Sequence, residues 1–196
     1  MPKVGMKPLR RKQLIAAAIQ TIHEHGLADA TVARIARKAG VSTGIVHHYF
    51  KDKNDLLFET MRSLLEELRS EAVSRLGAAR TPRERAFAIV DASFSDEQFS
   101  VDVMTAWLAL YGSAQTSVRL RRILNIYANR LQSNLRHALK PLMNEAAAER
   151  AAESTAALID GLWLKAALFG GVTDPGHPRR LVQDHIDMQI SIYGRH

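Results

Sequence analysis

Four residues near the N-terminus are suited to contacting DNA bases: Thr43, Gly44, His47 and His48, which follow a turn at Gly40. Hydroxyl and imidazole groups can hydrogen-bond to base edges in the major groove. A glycine lets the backbone of a helix approach the DNA closely. We therefore expect these four residues to read bases.

Four neighbouring residues complete the predicted DNA-binding set. Thr31, Tyr49 and Lys53 lie at helix starts or beside the short helix of the base-reading residues, where backbone N–H groups and side chains meet phosphates. Ser42 directly precedes that helix and can cap it.

A second group of residues is suited to binding a quaternary ammonium ion. Trp107 and Tyr111 are spaced i, i+4, and Asp160 and Trp163 are spaced i, i+3, so each pair shares one helix face. Aromatic faces and a nearby carboxylate hold a cation that cannot donate an N–H bond. Tyr127 is a weaker candidate for a third wall. Alternatively, the Trp–Tyr pair belongs only to the core.

Metal and catalytic chemistry have little support in the sequence. The chain has no cysteine, so thiolate metal sites and a cysteine nucleophile are excluded. His47 and His48 are adjacent on a helix and point roughly 100° apart, so they cannot readily share one ion. There is no Gly-rich phosphate loop, Gly-x-Ser-x-Gly elbow or His-Glu-x-x-His pair. We expect no metal, no cofactor and no enzymatic activity.

The segment 31–50 has the layout of a helix-turn-helix, which would position the base-reading residues. Ala36 is small enough for two helices to cross closely, and Gly40 tolerates the positive φ of the turn. The small core between the helices is predicted to consist of Ile35, Val41, Val46 and Phe50. In such a motif, the second helix enters the major groove with its N-terminal residues at base edges.

Apolar residues at helical spacing recur along the whole chain and predict an all-α protein of about nine helices. Glycines, prolines and capping residues place them at about 8–25, 32–39, 43–49, 53–76, 82–93, 102–114, 118–139, 145–169 and 178–193. We predict an N-terminal three-helix DNA-binding domain over 1–55 and a helical ligand-binding and dimerisation domain over 56–196.

The charge of the protein is uneven. The net charge is +7 over 196 residues, of which residues 1–62 carry +6. Such asymmetry is expected of a polyanion-binding module attached to a nearly neutral region. The N-terminus has no signal-peptide pattern, and the apolar segment 156–172 is shorter than the roughly 20 residues of a membrane span. We expect a soluble, cytoplasmic protein with no membrane partner.

The stretch from Thr31 to Leu57 resembles the signature of the tetracycline-repressor-type (tetR) family of transcriptional regulators. The residues that match the family pattern are Gly40, Val41, Ser42, Gly44, Tyr49, Phe50 and Lys53. The chain departs from the pattern at His47, where many members carry a tyrosine that contacts phosphate.

Residues 1–6, 43–49 and 156–168 also resemble members of this family that regulate choline uptake and glycine-betaine synthesis. The resemblance implies a homodimeric repressor that binds pseudo-palindromic double-stranded operator DNA. It implies a dimer interface formed mainly by the last two long helices. It also implies choline as the small-molecule effector, bound near the Trp107–Tyr111 and Asp160–Trp163 pairs.

Three alternative functions differ from this one in the sequence features that they require. A regulator of the same family could control an efflux or catabolic operon and respond to another cationic or apolar ligand. A helical enzyme would lack the catalytic motifs named above. A nonspecific nucleic-acid packaging protein would need basic residues along more of the chain than residues 1–62.

Overall fold

The computed structural model describes residues 6–169 and 174–194. Within these residues the chain forms nine helices and no strand, which confirms the all-α prediction. In chain order they are α1 (Met6–Asp29), α2 (Val32–Lys38), α3 (Thr43–Tyr49), α4 (Lys53–Ala78), α5 (Pro82–Ser93), α6 (Val101–Ala114), α7 (Val118–Leu139), α8 (Glu145–Phe169) and α9 (Gly176–Tyr193).

Local sequence explains most of these boundaries. Asp52 Oδ1 accepts a hydrogen bond from the Asp55 backbone N–H at 2.8 Å and so caps α4. At α5, Thr81 and Glu84 form a reciprocal capping box, and Pro82 occupies the first turn, where its missing N–H costs nothing. The bounds of α3, α5, α7 and α8 are those that the sequence predicts.

The first helix differs from its prediction. At Gly26 the chain leaves helical geometry, with φ 73° and ψ 166°, but a further turn continues to Asp29. The helix therefore has a kink where the sequence predicts its end, next to residue 25. A backbone with this φ and ψ is almost restricted to glycine, which explains the residue at this position.

One compact unit contains α1–α3, α4 through Leu64, and the segment Val101–Arg121. Inside this unit α1 packs against α6 and against α2, and α2 packs against α3. Its core includes Leu14, Ile22, Ile35, Leu56 and Leu110, all fully buried.

A second compact unit contains Leu65–Ser100 and the described residues from Arg122 onward. Here α9 packs against α8 and against α5. Arg83 of α5 forms a bidentate ion pair with Asp187 of α9, at 2.6 and 2.5 Å. The predicted domains, 1–55 and 56–196, separate DNA binding from ligand binding, whereas the compact units are defined by packing, so this division stays a prediction.

Among the helices of the described residues, none combines the length and the apolar character that a membrane span needs.

Candidate functional site

The turn that presents α3 is built from local hydrogen bonds. Thr31 Oγ1 accepts from the Arg34 N–H at 3.3 Å and caps the start of α2. At its end, Gly40 N donates to Arg37 O and Val41 N donates to Ala36 O, at 3.1 and 2.9 Å. These two bonds are the Schellman arrangement, which requires a left-handed residue, and Gly40 has φ 66°.

The predicted core of the helix-turn-helix forms, with one exception. Ile35, Val46 and Phe50 are buried. Val41 is only half-buried, because it lies in the turn immediately after the glycine. The small Ala36 is buried where α2 packs against α3. The orientation of α3 is therefore fixed from one side only.

The opposite side of α3 is open to solvent. Thr43, Gly44, His47 and His48 are all exposed, as base-reading residues must be. Tyr49 is half-buried. The rings of His48 and Tyr49 meet edge to face, with their centres 5.2 Å apart. Since His48 and Tyr49 are in contact, each restricts the movement of the other.

Ser42 occupies the N-cap position of α3, but its side chain makes no capping hydrogen bond. The predicted capping role of its hydroxyl is therefore wrong, although the helix does begin at Thr43. Ser42 is exposed beside the base-reading residues, and its place in the DNA-binding set stays a prediction.

Lys53 has a structural role that the sequence did not predict. Its Nζ donates to Leu27 O at 2.8 Å and to Ala28 O at 3.1 Å, so it anchors the start of α4 to the end of α1. An ammonium group has three N–H donors. One donor is left for a phosphate, and the predicted phosphate contact stays a prediction.

A residue of α7 also helps to hold the turn between α3 and α4. Asp55 Oδ2 accepts from the Lys51 N–H at 3.2 Å, and Asp55 Oδ1 accepts from the Arg119 guanidinium at 2.9 Å. Burial alone raises the pKa of Asp55, but these hydrogen bonds, together with the positive charges of Arg119 and Arg11, outweigh it and lower the pKa below its ordinary value. The sequence does not point to Arg119, because nothing local links residues this far apart.

The basic residues of the first helices divide into exposed and paired ones. Lys7, Lys12, Arg34, Arg37 and Lys51 are exposed. Arg11 pairs with Glu59 at 2.6 Å and lies over the Phe50 ring, while Lys38 pairs with Glu24. Lys3 lies outside the described residues. Among the basic residues that give the N-terminal region its charge, Arg11 is therefore already engaged inside the protein.

The predicted aromatic pair of α6 does form. Trp107 is buried, and its ring stacks on that of Tyr111 with centres 5.5 Å apart and planes at 28°. This contact lies within the first compact unit. Contact between the rings is compatible with both predictions, a core pair and a ligand wall.

The other predicted ligand residues belong to the second compact unit. Asp160 of α8 remains accessible to solvent, yet the surrounding protein removes enough of its hydration to raise the pKa of its carboxyl. Trp163, three residues on, and Tyr127 of α7 are half-buried. An accessible but poorly hydrated carboxylate gains more from a cation than a fully hydrated one does.

Helices α8 and α9 expose large apolar side chains. They are Leu164, Leu168 and Phe169 on α8, and Leu181, Met188, Ile192 and Tyr193 on α9. The two helices pack against each other in the second unit. Clusters of exposed apolar residues of this kind mark protein interfaces.

Among the described residues, no group of three or more metal-ligating side chains could hold an ion.

Comparison with known proteins agrees with this geometry. Residues 14–60 match the family described as "Bacterial regulatory proteins, tetR family", and residues 82–191 match "BetI-type transcriptional repressor, C-terminal". The chain is 48% identical to the HTH-type transcriptional regulator BetI of Agrobacterium fabrum, over 98% of this chain and 94% of that relative. The BetI of Brucella suis is also 48% identical, over 97% and 96%.

The chain belongs to the tetR family. Its C-terminal region is of the BetI type, so it is a transcriptional regulator, and the family supports a repressor role. As a tetR-family regulator, it belongs to a group of DNA-binding proteins and not to the enzymes.

Solved structures of other transcriptional regulators share the fold. A transcriptional regulator from Rhodococcus sp. Rha1 has a TM-score of 0.80 with 25% identity, over 93% of this chain and 97% of that one. A putative transcriptional regulator from Saccharomonospora viridis, solved in complex with choline, has a TM-score of 0.77 with 20% identity, over 95% and 98%.

Proposed function

We propose that this tetR-family regulator is a homodimeric repressor of genes for choline uptake and glycine-betaine synthesis, with choline as its effector. The observation that carries the proposal is the BetI-type match over residues 82–191, the region outside the DNA-binding motif. The tetR motif supports DNA binding alone, whereas the C-terminal region of such regulators is the part that senses a ligand.

DNA recognition is assigned to the exposed side of α3. Thr43, Gly44, His47 and His48 face solvent together, and the Schellman turn at Gly40 and the buried Val46 and Phe50 hold the helix from behind. A helix held in this way keeps its orientation when it enters the major groove. The exposed Arg34, Arg37 and Lys51 supply positive charge for phosphates.

Dimerisation is assigned to the apolar surface of α8 and α9. One helix-turn-helix reads half a site, and two recognition helices must lie roughly 34 to 36 Å apart to meet successive major grooves. Leu168 and Met188 are among the exposed apolar residues that a second copy would cover. A two-fold dimer places the same residues on both sides of its interface, so one apolar surface suffices.

Two sets of side chains, one in each compact unit, are separate candidates for binding choline. The Trp107–Tyr111 stack offers aromatic faces, and Asp160 offers an accessible carboxylate with reduced hydration. A trimethylammonium group is attracted to aromatic faces and to negative charge and has no N–H to donate. The choline complex of the Saccharomonospora viridis regulator supports the choice of ligand.

Choline can control DNA binding only through a difference in affinity between two arrangements of the dimer. A ligand that binds both arrangements equally shifts neither population. We propose that choline favours a dimer in which the separation of the two recognition helices differs from the separation in the unliganded repressor.

Footprinting on the DNA upstream of the protein's own gene tests the proposal. We expect one protected inverted repeat, and we expect choline to alter the protection while an equal concentration of sodium chloride does not. A parallel thermal-shift series with choline, betaine aldehyde and lipophilic cations identifies the effector. If a lipophilic cation releases the DNA and choline changes neither Trp fluorescence nor operator affinity, the choline assignment is wrong.

A further inference from the structure

Ile45 is an apolar side chain on the solvent side of α3. It is 40% exposed, whereas the next residue, Val46, is buried. It follows Gly44 directly and precedes His48 by three residues, so it lies on the helix surface beside both. The predicted base-reading residues are its polar neighbours, and the sequence predicts no role for Ile45 itself.

The core of the motif does not require Ile45. Ile35, Val46 and Phe50 fill the space between α2 and α3 and are almost completely buried. Ile45 keeps 40% of its surface in solvent, and β-branching slightly lowers helix propensity. The exposed part of the side chain is therefore available for a contact outside the protein.

The major groove has one apolar group that could match this side chain. Thymine presents its C5-methyl there, while the other groups available for recognition are hydrogen-bond donors and acceptors. A β-branched side chain in a helix has one strongly preferred χ1 rotamer, so Ile45 loses little conformational freedom on contact. The adjacent Gly44 has no side chain to hold the helix away from the bases.

We propose that Ile45 is a specificity-determining residue that contacts the C5-methyl group of one thymine in each half of the operator. This inference rests on the proposed recognition of DNA by α3. Its polar neighbours distinguish bases by hydrogen bonds. Ile45 distinguishes thymine from cytosine by an apolar contact that cytosine, with no methyl group, cannot make.

The experiment begins with selection of a duplex from a random library by the full-length protein. Each thymine of the selected duplex is then replaced by deoxyuridine, which removes the methyl group and keeps every hydrogen-bonding group. Burying one methyl changes affinity about fourfold. We expect one thymine per half-site to show a loss of this size, and about the square of that loss when both half-sites are changed.

Variants at two exposed isoleucines separate the proposed contact from other effects. We expect Ile45→Ala to bind the thymine and deoxyuridine duplexes equally well, and Ile45→Val to keep part of the discrimination. Ile126 of α7 has similar exposure, at 45%, so Ile126→Ala is the matched control and should keep the wild-type profile. Thermal unfolding of each variant shows whether it is folded.

Each outcome has a definite meaning. If Ile45→Ala binds all duplexes more weakly by one factor and every deoxyuridine profile stays that of the wild type, Ile45 contacts the sugar or the protein, and the inference fails. If the selection enriches no sequence at all, the proposed DNA-binding function fails instead. Enrichment of a site that is indifferent to every thymine methyl overturns only the role of Ile45.

Discussion

The guanidinium carbon of Arg119 lies 3.6 Å from the centre of the Phe58 ring, and its Nη1 is 2.9 Å from Asp55 Oδ1. This single side chain connects the first turn of α7 to the first turns of α4. Asp55 also accepts the backbone N–H of Lys51, in the turn that follows α3. The recognition helix is thus tied to α7 through one carboxylate.

Replacement of Arg119 by alanine should lower the free energy of unfolding by about 1 kcal/mol. A cation over an exposed ring contributes about 0.5 to 1 kcal/mol, and an exposed ion pair adds little. Arg119→Lys should lose less than Arg119→Ala. Urea unfolding measures both, with Arg122→Ala, an exposed arginine on the same helix, as control. Equal losses at Arg119 and Arg122 would show that the ring and carboxylate contacts contribute nothing.

Lys53→Gln should change both stability and DNA binding. Glutamine is shorter and uncharged, so weaker hydrogen bonding to Leu27 O and Ala28 O should cost about 1 kcal/mol in urea unfolding. If its remaining N–H reaches a phosphate, the slope of log affinity against log salt should become shallower by about 0.9 for each phosphate that Lys53 neutralises. Lys140→Gln, where the lysine pairs with Glu145, is the control and should leave the slope unchanged.

A drop in stability without any change of slope would restrict Lys53 to its structural role. The predicted phosphate contact would then be wrong, and the salt dependence would have to come from exposed residues such as Arg34 and Lys51.

Much of the fold was predictable because its determinants are local. Thr31 and Asp52 cap helices through their own side chains, and Gly40 ends α2 with a positive φ. The start of α9 was placed two residues late, at Pro178, although the helix begins at Gly176. Proline fits anywhere in the first turn, where backbone N–H groups lack helical partners, so it marks the turn and not the residue.

The contacts that connect distant segments could not be predicted in the same way. Trp107 and Tyr111 stack because one helix spaces them four residues apart, and the sequence shows this directly. Arg119 and Asp55 are also in contact, but only the packed fold brings them together. The exposure of Ile45 likewise depends on which side of α3 the core occupies, which is a property of the packing.

Gly26 and Gly40, which have positive φ, should respond differently to substitution. A Cβ would meet no atom within 4 Å at either position, so only backbone strain decides. Gly40→Ala should cost about 1 to 2 kcal/mol, and Gly40→Asn less, because asparagine tolerates the left-handed region. Gly26, at φ 73° and ψ 166°, lies where only glycine is common, so Gly26→Ala and Gly26→Asn should both cost about 1 to 3 kcal/mol.

Urea unfolding of the four variants provides the comparison. The difference between alanine and asparagine should appear at Gly40 and be absent at Gly26. The opposite pattern would mean that the backbone at Gly26 rearranges into the left-handed region at little cost.

Met188→Glu should dissociate the proposed dimer. Met188 is 53% exposed on the apolar surface of α9, and a two-fold interface would bury two new carboxylates there. Each unpaired charge left in an interface costs about 3 kcal/mol, so the two carboxylates together should weaken association by more than about 100-fold. Sedimentation velocity measures the assembly, with Val73→Glu on α4 as control, because Val73 is 56% exposed on another helix. A dimer that persists in Met188→Glu would assign the interface to a different surface.

Choline binding should weaken as the pH falls if Asp160 holds the cation. Only the ionised carboxylate attracts choline, and desolvation raises the pKa of Asp160 above 3.8. Lowering the pH through that raised pKa protonates Asp160. The affinity for choline therefore falls at a higher pH than it would if the carboxyl had the pKa of an ordinary aspartate. At neutral pH, Asp160→Asn should bind choline about fivefold more weakly, the effect of one accessible ion pair, and should show no pH dependence of its own.

Calorimetric titration with choline across the acid range distinguishes this role from a general charge effect. Glu153 is an exposed carboxylate on the same helix, so Glu153→Gln removes one negative charge without touching Asp160. We expect that control to bind choline with the wild-type pH dependence. If Asp160→Asn also keeps that dependence, the titrating group is elsewhere. Choline would then be held by aromatic faces such as the Trp107–Tyr111 stack, whose attraction for a permanent cation does not change with pH.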